Sequence, residues 1–154
     1  MTTTEKVKAL KVSSSAFEER SFIPRQYTRD GDNCNPPLKI DAIPEGTKSF
    51  ALIVEDPDAP GKDPFVHWLM WNIPPVHSID ENSAPGEAGK NDFGNARYDG
   101  PAPPSGAHHY FFHLYALDAM IKLKPGTGKA KLMSAIQPHV IGEGTLVGVY
   151  RRAL

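Results

Sequence analysis

Three segments of the chain are apolar on both faces that a β-strand presents, and this feature limits the fold more than any other. Residues 50–54 form a continuous apolar run, and residues 66–73 and 110–117 carry aromatic and aliphatic side chains at neighbouring positions. Successive side chains of a strand point to opposite faces, so these segments need a covering layer on each side. They predict central strands of a packed β-sandwich.

Shorter patterns add strands around this centre. Residues 145–150 alternate in the manner of a fourth strand near the end of the chain. Residues 8–13 and 38–40 predict two further short strands, the second of them after a pair of prolines. The sequence therefore predicts a mainly β chain.

One helix is predicted, over residues 129–140, where four apolar side chains recur at helical spacing. Pro138 should end or kink it near Gln137, since a proline inside a helix costs about 3 kcal/mol. With 15 prolines and 13 glycines, the chain favours strands and structured loops over long helices.

A long segment, residues 74–106, holds six prolines and five glycines without sustained periodicity. It greatly exceeds the roughly 4–6 residues of an ordinary connection, and such loops are usually functional or disordered. Phe93 and Tyr98 can pack, and the prolines at 101, 103 and 104 fix the backbone. We therefore expect an ordered loop with a functional role.

Charge and composition exclude several classes of function. The 17 basic and 18 acidic residues give a net charge of -1, so no overall field recruits nucleic acid or an anionic membrane. No run approaches the roughly 20 apolar residues of a membrane span, and the N-terminal stretch lacks the apolar core of a signal peptide. Cys34, the single cysteine, cannot form an intrachain disulfide. We expect one cytoplasmic domain over residues 1–154.

Two polar motifs lie at the ends of predicted strands. The first strand is followed by the sequence Asp56-Pro-Asp-Ala-Pro60, which by itself is compatible with a simple turn. A carboxylate at a strand end is also well placed to project into a cleft. His67 opens the second strong strand, where a single histidine most often has a structural role.

A third motif, Gly-Ala-His-His-Tyr at residues 106–110, leads from the long loop into the third strand. Strand side chains alternate in direction, so His108 and Tyr110 should share one side while His109 faces the other. We therefore predict a pocket that contains Asp56, His67, His108 and Tyr110.

Taken in order, these motifs resemble the phosphatidylethanolamine-binding protein family, also called Raf kinase inhibitor-like proteins, and in particular its short prokaryotic branch. The most specific element is Gly-Pro-x-Pro-Pro-x-Gly-x-His-x-Tyr over residues 100–110. The resemblance implies a β-sandwich of this family's type with a few short helices. It also implies an anion pocket with these ligand-binding residues: Asp56, Asp58, His67, Gly100, Pro101, His108 and Tyr110.

The resemblance also implies the ligand and the partners. The expected ligand is a small phosphorylated molecule or a phospholipid headgroup, with no cofactor and no metal. Prokaryotic relatives are often homodimers, and a role in regulating a partner such as a kinase or protease would follow. Where family members commonly have an arginine, this chain has His109, which the alternation directs away from the pocket.

The residue types suit an anion. Phosphate needs hydrogen-bond donors, which the two imidazoles, the tyrosine hydroxyl and backbone N–H groups beside Gly100 can supply. Asp56 can fix a histidine tautomer and raise its basicity, or accept a proton that a phosphate monoester still carries. Binding should therefore tighten as the pH falls toward about 6.5, the pKa of an ordinary histidine.

Other functions stay open from the residues alone. The aspartate, histidines and tyrosine could act as general acid and base in a hydrolase, although no nucleophilic serine or cysteine occurs in a recognisable motif. His67, His108 and Asp56 could hold a metal, although their spacing is not diagnostic. The protein could also dock onto a partner and use the pocket as a ligand sensor.

Overall fold

The computed structural model describes residues 7–152. In this part of the chain the strands, in order, are β1 (Lys8–Ala9), β2 (Lys11–Ser13), β3 (Leu38–Asp41), β4 (Ser49–Asp56), β5 (Phe65–Ile73), β6 (Ser78–Ile79), β7 (Glu87–Ala88), β8 (Ala107–Leu117) and β9 (Val140–Arg151). The helix α1 spans Lys129–Ile136, and short 3₁₀ turns occupy Arg25–Tyr27 and Gln137–His139.

The strands form two sheets. The large sheet has the order β1-β9-β8-β4-β5-β7, and the small sheet has the order β2-β3-β6. Neighbouring strands are antiparallel except for β1, which pairs parallel to β9. The apolar side chains between the sheets form one core, with Phe50, Leu52, Trp68 and Phe112 on the large sheet and Ile40 on the small one. The predicted β-sandwich is confirmed.

The helix covers the other face of the large sheet. Leu132 and Ile136 of α1 are fully buried against Ile53, Leu69 and Trp71. This second apolar cluster explains why β4 and β5 are apolar on both faces, since each face needs its own covering layer.

The long predicted strands and the helix are confirmed. The helix ends at Ile136, and Pro138 lies in the following 3₁₀ turn, as expected for a residue that cannot donate a backbone hydrogen bond. Within residues 74–106, where the sequence predicts an ordered loop, the structure contains two short strands, β6 and β7. Each has two residues, which is too short to produce a visible alternation.

This topology brings three strand ends together. Asp56 ends β4 and pairs with Phe65 at the start of β5, while Glu55 pairs with Phe111 near the start of β8. Residues 1–6, part of the N-terminal stretch for which no signal peptide is predicted, lie outside the described residues. In the part that is described, no helix has both the length and the apolarity that a membrane crossing requires.

Candidate functional site

A cavity of about 260 Å³ opens where β4 ends and where β5 and β8 begin. Four of the predicted site residues share its wall with the turn after β4 and with the proline-rich part of the long loop. Its lining consists of Asp56, Ala59, Pro60, Phe65, His67, Ala102, Pro103, Pro104, His108 and Tyr110.

Asp56 and His108 form a buried hydrogen-bonded pair. The Oδ2 atom of Asp56 lies 2.6 Å from Nδ1 of His108, and both residues are less than 10 % exposed. A carboxylate only accepts, so His108 carries its proton on Nδ1 and leaves Nε2 for other partners. The second oxygen of Asp56 accepts the backbone N–H of Asp58 at 2.7 Å. One aspartate thus closes the turn and fixes a histidine tautomer.

His67 is held in the same way by a backbone carbonyl. Its Nδ1 lies 2.7 Å from the carbonyl oxygen of Asp99, so Nδ1 is the protonated nitrogen of the neutral ring. Burial lowers the pKa of His67, although the Asp99 carbonyl and the charge of Asp56 oppose this effect. His67 is therefore neutral near pH 7. Its Nε2 then has a lone pair and no proton to donate.

The hydroxyl of Tyr110 is buried and has no hydrogen-bond partner within residues 7–152. Burial raises the pKa of Tyr110, so its phenol stays protonated. Leaving such a group unpaired costs about 1–3 kcal/mol. The ring also packs edge-on against His67 at 5.2 Å between centroids. Tyr110 also lines the cavity, and an unsatisfied buried donor in such a residue calls for a functional explanation.

Behind His67 lies a polar cluster around the fully buried Asp99. Its carboxylate accepts hydrogen bonds from Asn33 at 3.0 Å and from Asn91 and Asn95 at 2.9 Å each, and Arg97 lies at 3.3 Å. Burial by itself would raise the pKa of Asp99, but these amide hydrogen bonds outweigh it and hold the pKa below its usual range. The carboxylate is therefore ionised, and it anchors the carbonyl that orients His67.

Three predicted site residues lie outside the cavity lining. Gly100 donates its backbone N–H to Asn33 at 2.7 Å, and a Cβ added there would lie 2.2 Å from the carbonyl oxygen of Tyr27. This N–H is engaged within the protein. Pro101 is buried, and its carbonyl accepts the N–H of Arg29 at 3.0 Å. Both residues hold the loop that forms the wall.

The third residue, Asp58, supports the rim through His109. One carboxylate oxygen of Asp58 accepts the backbone N–H of His109 at 2.8 Å and lies 2.7 Å from its Nδ1. This side-chain hydrogen bond lowers the pKa of Asp58. His109 does not line the cavity, in agreement with strand alternation, and it ties β8 to the turn after β4.

The sequence reasoning missed the apolar wall and Asp99. Ala59, Pro60 and Phe65 carry no chemistry of their own, and the same residue types occur in ordinary turns and cores. An aspartate in a loop is most often a turn residue. The asparagines around Asp99 were the available signal, but Asn33 lies 66 residues before it in the sequence.

The lining contains one carboxylate, two imidazoles and a phenol, and it contains no serine, threonine or cysteine. Within residues 7–152, no group of three or more His, Cys, Asp or Glu side chains is arranged to hold a metal ion. The arrangement can bind an anion if an imidazole takes up a proton on Nε2, or if the anion brings a proton that Nε2 accepts.

Comparison with known proteins gives concordant matches. The profile of the family described as phosphatidylethanolamine-binding protein matches residues 13–151. The UPF0098 protein of Methanothermobacter thermautotrophicus is 45% identical over 152 residues, which cover 93% of this chain and 99% of that protein.

Two solved structures have the same fold. A phosphatidylethanolamine-binding protein homologue from Chlamydia trachomatis has a TM-score of 0.90 at 34% identity, covering 95% of this chain and 99% of its own. Escherichia coli YbcL, described as a member of the mammalian family, has a TM-score of 0.86 at 29% identity, covering 94% of this chain and 99% of its own. These similarities confirm the resemblance predicted from the sequence.

Proposed function

Because the chain belongs to the phosphatidylethanolamine-binding protein family, we propose that its cavity binds a small phosphate-bearing ligand. Asp56, His67, His108 and Tyr110 would form the polar contacts. Asp58, Gly100 and Pro101 would act indirectly, by holding the turn and the loop that shape the wall.

The observation that carries the proposal is the hydroxyl of Tyr110, a buried donor without a partner among the described residues. Tyr110 lines the cavity together with two imidazoles whose Nδ1 atoms are already engaged. A phosphoryl oxygen would satisfy the hydroxyl, and the two Nε2 atoms would provide further contacts. An apolar ligand would leave these groups unpaired, at a cost of about 1–3 kcal/mol for each group.

The proton positions make binding depend on pH. A fully ionised anion finds no donor on Nε2 of a neutral His67, so a hydrogen bond with this atom requires a proton on the imidazole or on the ligand. Each proton taken up on binding tightens the complex by up to about tenfold per pH unit as the pH falls. Because burial lowers the pKa of His67 in the free protein, this uptake would occur when the complex forms.

Calorimetric titration with methyl phosphate near pH 6 and near pH 8 tests the proposal. We expect tighter binding at the lower pH and a net uptake of protons, seen as a dependence of the heat on the buffer. Methyl sulfate, which carries no titrating proton in this range, shows whether the proton comes from the protein. An affinity for methyl phosphate that is equal at both pH values would contradict the proposed mechanism.

Two variants complete this test. His67→Gln should weaken methyl phosphate binding and flatten its pH dependence, because glutamine cannot titrate. Lys48→Gln is the matched surface control: Lys48 is exposed beside Ser49, which pairs with Leu117 at the far end of β8 from the cavity. It should leave binding unchanged.

The remaining predictions concern assembly and activity. Homodimer formation, a cytoplasmic location and regulation of a protein partner stay predictions. Native mass spectrometry of protein purified from its own host tests for the dimer and for a retained phosphorylated ligand. Turnover of phosphate or carboxylate esters that His67→Ala abolishes would instead support the hydrolase alternative.

A further inference from the structure

A second and larger cavity, of about 720 Å³, adjoins the first. Pro103 and Pro104 line both cavities, so one rigid proline wall separates them. We call the second cavity the arginine groove, and its lining is Phe22, Pro103, Pro104, Ser105, Gly106, Arg151 and Arg152.

The sizes of the two cavities differ in a way that limits the ligand. The first has about 260 Å³, which is below the range of roughly 300–1,000 Å³ found for sites that enclose a drug-sized ligand. It suits one compact group. Any larger ligand must continue outside it, and the groove begins at the shared proline wall.

The groove carries positive charge. Arg152 donates from Nε to both carboxylate oxygens of Asp30, at 3.0 and 3.1 Å, and Asp30 also accepts the hydroxyl of Tyr150 at 2.8 Å. These bonds position the guanidinium, while its terminal nitrogens bond to no acceptor within residues 7–152. Arg151 is exposed and makes no ion pair in the same part of the chain. The groove lining thus includes two guanidinium groups, and only that of Arg152 is paired with a carboxylate in the described residues.

An exposed aromatic ring lies beside these charges. Phe22 is 63% exposed, yet its backbone is fixed against β9. The N–H of Ile23 bonds to the carbonyl of Val149 at 2.8 Å, and the N–H of Val149 bonds to the carbonyl of Ser21 at 3.0 Å. Phe22 therefore offers a fixed apolar surface that the linking part of a ligand can cover.

We propose that the arginine groove is a second anion subsite, and that the ligand carries a second acidic group. This inference rests on the proposed function of the first cavity. The phosphoryl group lies in the first cavity, the linking chain crosses Pro103 and Pro104 beside Phe22, and Arg151 and Arg152 bind the second acid. Guanidinium groups suit this role because they form paired hydrogen bonds with carboxylate or phosphate.

The test compares two ligand series by calorimetry at low ionic strength: linear alkyl monophosphates, and α,ω-bisphosphates with spacers of the same lengths. At a favourable spacer length, the bisphosphate should bind about tenfold more tightly than its matched monophosphate. Added salt should reduce this advantage, since exposed charges are screened. Short-chain phosphatidylserine compared with short-chain phosphatidylcholine, both below micellar concentration, shows whether a lipid headgroup can supply the second acid.

Variants assign the effect to the groove. Arg151→Gln combined with Arg152→Gln should remove the bisphosphate advantage and leave monophosphate affinity within about twofold of the wild type. The unchanged monophosphate affinity shows that the variant is folded, and Lys48→Gln controls for the loss of a distant positive charge. If monophosphates bind but no bisphosphate binds more tightly, or if the advantage survives in the double variant, the subsite is overturned and the proposed function is not. If neither ligand series binds, both the second subsite and the proposed function of the first cavity are overturned.

Discussion

The hydroxyl of Tyr110 has opposite effects on stability and on ligand binding. In the ligand-free protein it is a buried polar group without a partner in the described part of the chain, which lowers stability. With an anion in the cavity, the same hydroxyl becomes a donor in a surrounding of low polarity, where a hydrogen bond to a charged group is strong.

We therefore predict that Tyr110→Phe raises the free energy of unfolding by about 1 kcal/mol and weakens methyl phosphate binding by about tenfold. Urea unfolding and calorimetry measure the two effects. The matched control is Tyr98→Phe, because the hydroxyl of Tyr98 is also buried but bonds to the carbonyl of Tyr27 at 2.6 Å. This control should be destabilised by about 1 kcal/mol. A similar loss of stability in Tyr110→Phe would show that its hydroxyl is satisfied.

Asp99 holds His67 through a hydrogen bond to its backbone carbonyl. We predict that Asp99→Asn lowers the free energy of unfolding by about 1–3 kcal/mol at neutral pH. The new amide group would face the amide donors of Asn33, Asn91 and Asn95, which now bond to a carboxylate. The pKa of Asp99 is lowered in the folded protein, so its contribution is present above the unfolded value of about 3.9 and is lost as the pH falls below it. The difference between the two proteins should therefore shrink in acid.

Urea unfolding near pH 7 and near pH 3.5 measures this difference. The pKa of His67, followed by NMR, should fall further in Asp99→Asn, because the charge of Asp99 is one of the interactions that oppose the effect of burial on this histidine. Asp63→Asn, at an exposed position, controls for the loss of a negative charge. An unchanged His67 pKa in Asp99→Asn would limit Asp99 to a structural role.

At the scale of elements, β9 depends on glycine where the chain crosses between the sheets. Leu10 lies between β1 of the large sheet and β2 of the small one, and its N–H bonds to the carbonyl of Glu143 at 2.9 Å. A Cβ added to Gly144 would lie 2.4 Å from the carbonyl oxygen of Leu10. Only a residue without a side chain lets the two segments approach this closely.

Gly144→Ala should therefore lower the free energy of unfolding by about 1–3 kcal/mol, the usual cost of forcing extra atoms into a packed region. Urea unfolding measures the effect. Gly128→Ser provides the comparison, because a Cβ there meets nothing within 4 Å and serine is a favoured residue at a helix N-cap. Equal stability of Gly144→Ala and the wild type would mean that the strand moves away at no cost.

The apolar pattern and the positions of glycine decide which strands the sequence could predict. The strands β4, β5 and β8 were predictable because both of their faces are apolar. The first five residues of β9 were missed, since Gly142 and Gly144 interrupt its alternation. Strands β6 and β7 form only because β3 and β5 offer partners, which is a tertiary effect without a local pattern.

For the site, strand alternation correctly separated His108 and Tyr110 from His109. The sequence predicted that Asp56 can fix the tautomer of a histidine, and the structure identifies His108 as its hydrogen-bond partner. The arginine groove could not be predicted from local pattern, because Phe22 and Arg151 meet only when the chain before the first 3₁₀ turn packs along β9.

At the scale of the whole molecule, the buried groups bias stability toward neutral pH. The pKa of His67 is lowered by burial, so below about pH 6.5 the unfolded chain takes up a proton that the folded protein does not. The pKa values of Asp30 and Asp58 are also lowered, through hydrogen bonds from Tyr150 and His109 respectively. Their contributions are present above about pH 4 and are lost in stronger acid.

An anion that binds together with a proton should oppose the loss of stability in acid that arises from the lowered pKa of His67. We predict that the free energy of unfolding falls between about pH 7 and pH 5, and that a fixed concentration of methyl phosphate restores more of it near pH 5.5 than near pH 8. A ligand at one hundred times its Kd adds about 2.7 kcal/mol, so tighter binding in acid translates directly into greater stabilisation. Urea unfolding with and without methyl phosphate measures both quantities.

His67→Gln should have a flatter stability profile between pH 7 and pH 5 and should lose the pH dependence of the ligand effect. If the variant keeps the wild-type slope, the proton is taken up by another group, and His67 is not the residue that links protonation of this site to the stability of the fold.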